Sequence, residues 1–305
     1  MMWQVTAAVM AMMMTGAASA AMAAEVKPWR VPVEAGECLA EEVTRYDAVV
    51  RLWELAGCPE AGALPTAILS GGDRGRASEE MLAVVPEDAR AAFRWAAAEL
   101  LLPENFVSRT DFGAPGIPTT PELRGGELLT RAEFAGLLHR FAEMRGQAPL
   151  MWNDEIDAVG IADHRETIVE AQSYLREAAW CVREGILALD AGGNFNGGDT
   201  VTADVMAAAL DALDAAIPAD AAIYPAVVAE NAAGQVTLSV TEAAVGEWVA
   251  FTWESAELPG EITMTILTES ADGMAVNYLY DIVGEKYVVR MPAGGLRIGL
   301  VSVYG

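Results

Sequence analysis

The chain has 305 residues and a formal net charge of −25, from 44 acidic and 19 basic side chains. That length suits two domains of ordinary size. So acidic a surface excludes nucleic acid as a partner, because phosphate contacts need a basic face.

In chain order, residues 1–23 come first and read as a signal peptide. The run MMWQVTAAVMAMMMTGAASAAMAA is apolar and uncharged, and it ends in small residues; Ala18-Ser19-Ala20 and Ala21-Met22-Ala23 both fit the small-x-small cleavage rule. No lysine or arginine precedes Lys27, so only the α-amino group supplies the positive front end. A short membrane anchor is the alternative, and the shortness of the run disfavours it. Export to the cell surface, with no membrane span after signal removal, is therefore expected.

The next element is EVTRYDAVVRLWELAG, from Glu42 to Gly57. Thr44 with Asp47 three residues on makes a capping pattern, and Val49, Leu52 and Leu55 follow at helical spacing. The same pattern returns in LLTRAEFAGLLHRF, where Thr130 and Glu133 form the capping box ahead of Phe134, Leu137, Leu138 and Phe141. Both helices carry an arginine, Arg45 and Arg131, in the first turn. The helix dipole opposes a cation there by roughly 0.3–1 kcal/mol, so its repetition asks for a reason. A third copy, TVTADVMAAALDAL, keeps Thr202 as cap but has Ala203 and Val205 where arginine and the acid stood.

A second helix type alternates with the first. AFRWAAAELLLPENF carries Trp95, and AAWCVREGILALDAGGNF carries Trp180. Superposed on tryptophan, Glu99 matches Glu184, and Leu101-Leu102 matches Ile186-Leu187. Each unit is thus a Trp-bearing helix, a Gly-rich loop and a Thr-capped helix. Internal repetition of this kind indicates stacked supersecondary units.

These residues resemble S-layer homology repeats, whose units run from an Ala/Trp helix through a Gly-x-Phe loop to a Thr-Arg-Ala-Glu helix. On that resemblance 36–60 is a partial half-repeat, 78–146 a repeat, and 150–217 a repeat with a degenerate motif. The family implies three units around a pseudo-threefold axis, with grooves that bind an anionic, commonly pyruvylated, cell-wall polysaccharide. It implies that the motif arginines, Arg45 and Arg131, take part in binding, with Thr44, Thr130, Asp47 and Glu133 holding the helix starts. An exposed guanidinium beside free helix-start amides would suit a sugar carboxylate. Trp95 and Trp180 sit among Ala and Leu at helical spacing, which favours core packing; a sugar-stacking role needs a ring edge in the groove. Trp53 is a further stacking candidate.

Residues 218–305 change from a period of 3.6 to a period of 2. Val236, Leu238 and Val240 alternate with polar partners, as do Val249, Phe251 and Trp253, then Ile262, Met264 and Ile266. Tyr278 with Tyr280, Tyr287 with Val289, and Leu296, Ile298 and Leu300 continue the series. Glycine breaks between them indicate a small antiparallel β-sandwich. The end, EKYVVRMPAGGLRIGLVSVYG, resembles small bacterial surface β modules of immunoglobulin-like or internalin B-repeat type, which implies a spacer or an adhesive element. The expected fold class is multidomain, a helical pseudo-repeat region followed by an all-β module.

Catalytic signals are weak. The histidines are His139 and His164, and His139 is expected on a solvated helix face. No nucleophile elbow, zinc-protease helix, phosphate loop or dinucleotide fingerprint occurs, so no enzyme and no cofactor are expected. DAGGNFNGGDTVTAD has calcium-loop-like oxygens, but counting from Asp190 the sixth residue is Phe195, where the sharp turn needs glycine. No metal is expected. Three cysteines are too few for a disulfide framework; Cys38 and Cys58 pair only if the chain folds back, and Cys181 reads as a buried apolar residue. The resulting functional expectation is non-covalent attachment to wall polysaccharide. Its alternative is a surface adhesion or partner-binding factor, or a cell-wall enzyme, acting through the β module.

Overall fold

The computed structural model describes residues 41–64, 77–103, 106, 123–146, 159–164, 174–217, 219–254, 262–281 and 284–304. The signal-peptide segment, Cys38 and residues 107–122 lie outside the described residues. Within them the fold is mixed, a helical part followed by a β part.

Six α-helices are described: α1 (Arg45–Leu55), α2 (Glu79–Ala83), α3 (Glu87–Ala98), α4 (Arg131–Met144), α5 (Leu175–Arg183) and α6 (Ala203–Ala216). Three of them, α1, α4 and α6, start on a threonine. Thr44, Thr130 and Thr202 are each extended at the cap and accept from the amide three residues on. In α1 and α4 the acid at that third position also reaches back to the cap amide, completing the box. Val205 cannot do this, so α6 keeps half of the motif.

The residues before the three caps are bonded head to tail. The amide of Val43 donates to the carbonyl of Val201, Val201 donates to Leu129, and Leu129 donates to Val43, at 2.8–2.9 Å. Short antiparallel bridges flank this ring: Thr44 with Leu128, Thr130 with Thr200, and Glu42 with Thr202. A hydrogen bond one step further on also recurs, Arg45 N to Glu127 O, Arg131 N to Asp199 O, and Ala203 N to Glu41 O. The ring buries Val43, Leu129 and Val201 at its centre. It fixes which residues correspond across the three helix starts: Glu127 matches Asp199 and Glu41, while Glu133 matches Val205 and Asp47.

Around the ring, α3 packs on α1 and α5 on α4. Trp95 meets Phe141 edge-on with centroids 6.3 Å apart, and Tyr46 meets Phe93 at 5.0 Å. Gly125 is required here, because a Cβ would enter the Tyr46 ring. Helix α4 is buried along its whole length from Glu133 to Glu143. His139 is therefore buried, edge-on to Trp180 at 5.2 Å, and the expected solvated face is corrected: α4 has neighbours on every side.

The β part has strands β1 (Ile223–Val228), β2 (Val236–Leu238), β3 (Glu242–Ala244), β4 (Trp248–Trp253), β5 (Ile262–Ser270), β6 (Tyr278–Asp281), β7 (Lys286–Arg290) and β8 (Leu296–Tyr304). They form two four-stranded sheets, in the orders β3-β1-β8-β5 and β2-β4-β7-β6. One core draws on both, with Ala226, Ile266, Ile298 and Leu300 from the first and Val236, Val249, Phe251 and Val289 from the second. Pairing is antiparallel except between β1 and β8, which run parallel. The wholly antiparallel expectation is corrected there. β1 and β3 escape the alternation rule because Pro225 interrupts one and the other is three residues of Glu and Ala.

The two parts meet closely. Arg290 of β7 donates to the carbonyl of Glu99 at 2.7 Å and pairs with its carboxylate at 2.7 Å. Asn277 donates to Glu143 at 2.6 Å, and the amide of Ala293 to the carbonyl of Gly146 at 3.1 Å. Gly246, at φ +80°, lies against the carbonyl of Met144, where no side chain fits.

Candidate functional site

Each first-turn arginine meets the loop that precedes the next capped helix. Arg45 lies over the ring of Phe106 and Arg131 over the ring of Phe195, both with 5.0 Å between guanidinium carbon and centroid. This is the cation–π geometry, and it gives the repeated arginine a local reason. The surroundings then diverge.

Arg45 is 5% exposed. Its Nη2 meets Glu133 Oε1 at 2.5 Å and its Nε meets Glu133 Oε2 at 3.2 Å, a fork on one carboxylate. Nη1 donates to Glu127 at 2.7 Å and to the carbonyl of Arg124 at 3.1 Å. The expectation of an exposed, ligand-ready Arg45 is corrected: the neighbouring helix start supplies a buried carboxylate, and all three guanidinium nitrogens are engaged. Glu133 is accordingly both the acid of the α4 capping box and the counter-ion of Arg45.

Arg131 is half-buried. Its Nε donates to the carbonyl of Phe195 at 2.9 Å and its Nη2 to that of Ala188 at 2.8 Å. No carboxylate among the described residues lies within ion-pair distance, and no hydrogen bond there uses Nη1. By the register of the ring, the residue placed to grip Arg131 as Glu133 grips Arg45 is Val205. Burial pushes the Arg131 pKa down, and the charges of Asp199 and Asp163 push it back; arginine stays cationic throughout. Asp163 is itself engaged, accepting from the amides of Phe195 and Asn196 at 2.7 Å.

The helix-start amides are not free, which corrects a second expectation. In α1 the amides of Arg45 and Tyr46 donate to the carbonyls of Glu127 and Gly125, and that of Asp47 to the Thr44 hydroxyl. In α4 those of Arg131 and Ala132 donate to Asp199 and Gly197, and that of Glu133 to the Thr130 hydroxyl. An anion finds no unsatisfied N–H at either end. Thr44, Thr130, Asp47 and Glu133 thus hold the helix starts.

Trp95 and Trp180 are buried at 2% and 1% exposure, so both are core residues. Trp53 is half-buried, its Nε1 donating to the carbonyl of Pro59 at 2.9 Å. In the loop facing Arg131, the Asp190 carboxylate takes bonds from the side chain and amide of Asn194, the side chain of Asn196 and the amide of Gly192. These bonds hold its pKa well below the ordinary aspartate value. The carboxylate of this calcium-loop-like stretch is thus turned inward on its own loop. Cys58 is exposed; Cys181 is buried, and burial pushes its thiol pKa well up.

The Arg–Phe pairing was open to sequence reading in one respect. Phe106 and Phe195 hold equivalent places in ENF and GNF, but nothing in the sequence said which arginine each would meet. No family model and no curated protein matches this sequence.

Proposed function

We propose that the chain is an exported surface protein that attaches to an anionic wall polysaccharide through one site centred on Arg131. In this reading the helical part has the S-layer-homology arrangement, and the β part is an immunoglobulin-like sandwich acting as spacer or contact surface. The ring joining Val43, Leu129 and Val201 supports a pseudo-threefold arrangement, because three related helix starts exchange the same hydrogen bonds. The apolar segment 1–23 supports export.

One observation carries the binding reading. Arg131 is oriented by two carbonyls and the Phe195 ring, yet it faces no carboxylate within ion-pair reach among the described residues. A guanidinium held in that way is pre-positioned for a sugar carboxylate, with Nη1 as the donor at hand, and charge-assisted pairing of this kind is about twice as strong as a neutral hydrogen bond. Arg45 contributes structure and no ligand contact. The reading is non-catalytic and needs no cofactor.

Co-sedimentation with purified cell wall bearing a pyruvylated polysaccharide tests it. Arg131→Ala should weaken binding about tenfold, the loss of one charge-assisted contact, with the melting temperature almost unchanged. Val205→Glu should weaken binding as well, by giving Arg131 the internal partner it lacks, without lowering the melting temperature. Wild-type binding by both folded variants would end the proposal.

A further inference from the structure

A cavity of about 390 Å³ lies where the helical and β parts meet. Arg131 does not line it, and the attachment reading makes no use of it. Its volume falls in the range of small-molecule sites. The walls are mixed: Trp248 and Met274, both half-buried, supply apolar surface in front of the buried Trp180 and Ile217, while Glu143, Glu184 and Asp272 supply carboxylates.

The sign of the lining is informative. Two arginines, Arg183 and Arg290, also line it, but both are engaged with acids. Arg183 Nε donates to Glu184 at 2.8 Å. Arg290 bonds Glu99 and the carbonyl of Gly246, and lies 3.9 Å over the Trp248 ring. Glu143 is nine-tenths buried and accepts from Asn277, so its carboxylate is held at the wall by the β part. Asp272 stands exposed on the turn after β5 and forms no ion pair among the described residues. The half-buried Trp248 and a net negative lining, three carboxylates against two arginines, suit a cation with an organic body better than an anion or a neutral apolar molecule.

We propose that this cavity is a binding site for a small organic amine, the ammonium group meeting Glu143 and Asp272 and the body resting against Trp248 and Met274. Because its walls come from both parts of the chain, an occupied site ties the β part to the helices. The ligand adds contacts across the junction that the empty protein lacks.

Saturation-transfer NMR on the full chain, with benzylamine as probe and benzyl alcohol as its uncharged counterpart, tests the site. Benzylamine should receive saturation and bind about tenfold more tightly than the alcohol, the difference one charge-assisted contact makes. Asp272→Asn, on an exposed turn, should weaken benzylamine severalfold while leaving the alcohol unchanged. Ala293→Trp, which fills the cavity, should abolish the signal of both probes with the cell-wall binding of Arg131 intact. Equal affinity for the two probes, or a benzylamine signal that survives both substitutions, would overturn the proposal; loss of wall binding alone would not touch it.

Discussion

The starts of α1 and α4 share a threonine cap, an arginine, an acid three residues on and a phenylalanine from the following loop, yet their arginines have opposite fates. Arg45 is locked between Glu133 and Glu127, and Arg131 rests on two carbonyls with one edge toward solvent. The difference is made by the next helix start along the ring, which has Glu133 in one case and Val205 in the other. A first-turn arginine in this arrangement is structural when its neighbour is complete and available when its neighbour is degenerate. The third position completes the logic: Ala203 cannot pair, so Asp47 serves only the cap of its own helix.

The sharpest way to break the comparison is to remove the shared carboxylate. Glu133→Ala removes the acid half of the α4 capping box and leaves the Arg45 charge buried with half its partners, and breaking a buried pair costs roughly 3–5 kcal/mol. Denaturant unfolding should show that loss, whereas Arg131→Ala should show at most about 1 kcal/mol, the value of a half-exposed cation–π contact. Similar losses in the two variants would mean that the starts are equivalent after all.

A smaller effect comes from restoring the missing member. Ala203→Arg should find Asp47 and Glu41, by the same register that brings Arg45 to Glu133 and Glu127. Both acids are more exposed than Glu133, so the gain should be about 0.5–1 kcal/mol, read as a higher denaturation midpoint at unchanged slope.

The smallest effect is local and depends on pH. Asp190 has its pKa depressed in the folded loop, so its contribution is complete above the ordinary value of 3.8 and is lost as pH falls through the lower folded value. Amide protection at Gly192 and Asn194, the factor by which exchange is slowed relative to an unstructured peptide at the same pH, should be constant from neutral pH down to that ordinary value and should fall only below it. In Asp190→Asn this acid-specific loss of protection should disappear.

All the helices but α2 and most strands were legible in the sequence because their signals are local. Thr-x-x-Glu caps, apolar spacing and two-residue alternation act within a turn or a strand, and α1, α4, α6, β4, β7 and β8 fall where those patterns lie. β1 and β3 were not, because they are strands by virtue of their partners, β8 and each other, more than by composition. The site was half legible. Both arginines stood out, but their exposure depends on contacts across 88 residues of chain, which no local pattern carries.

By itself, then, the sequence determined the caps, the repeat and the change of period, since each follows from backbone geometry and from neighbours within a few residues. Only the tertiary structure decided that Arg45 is enclosed and Arg131 is not, that the first amides of α1 and α4 are bonded, and that two tryptophans and three acids come together at a junction. Charge pairing and burial are settled by which distant side chain arrives. Here the closed ring of hydrogen bonds chooses it.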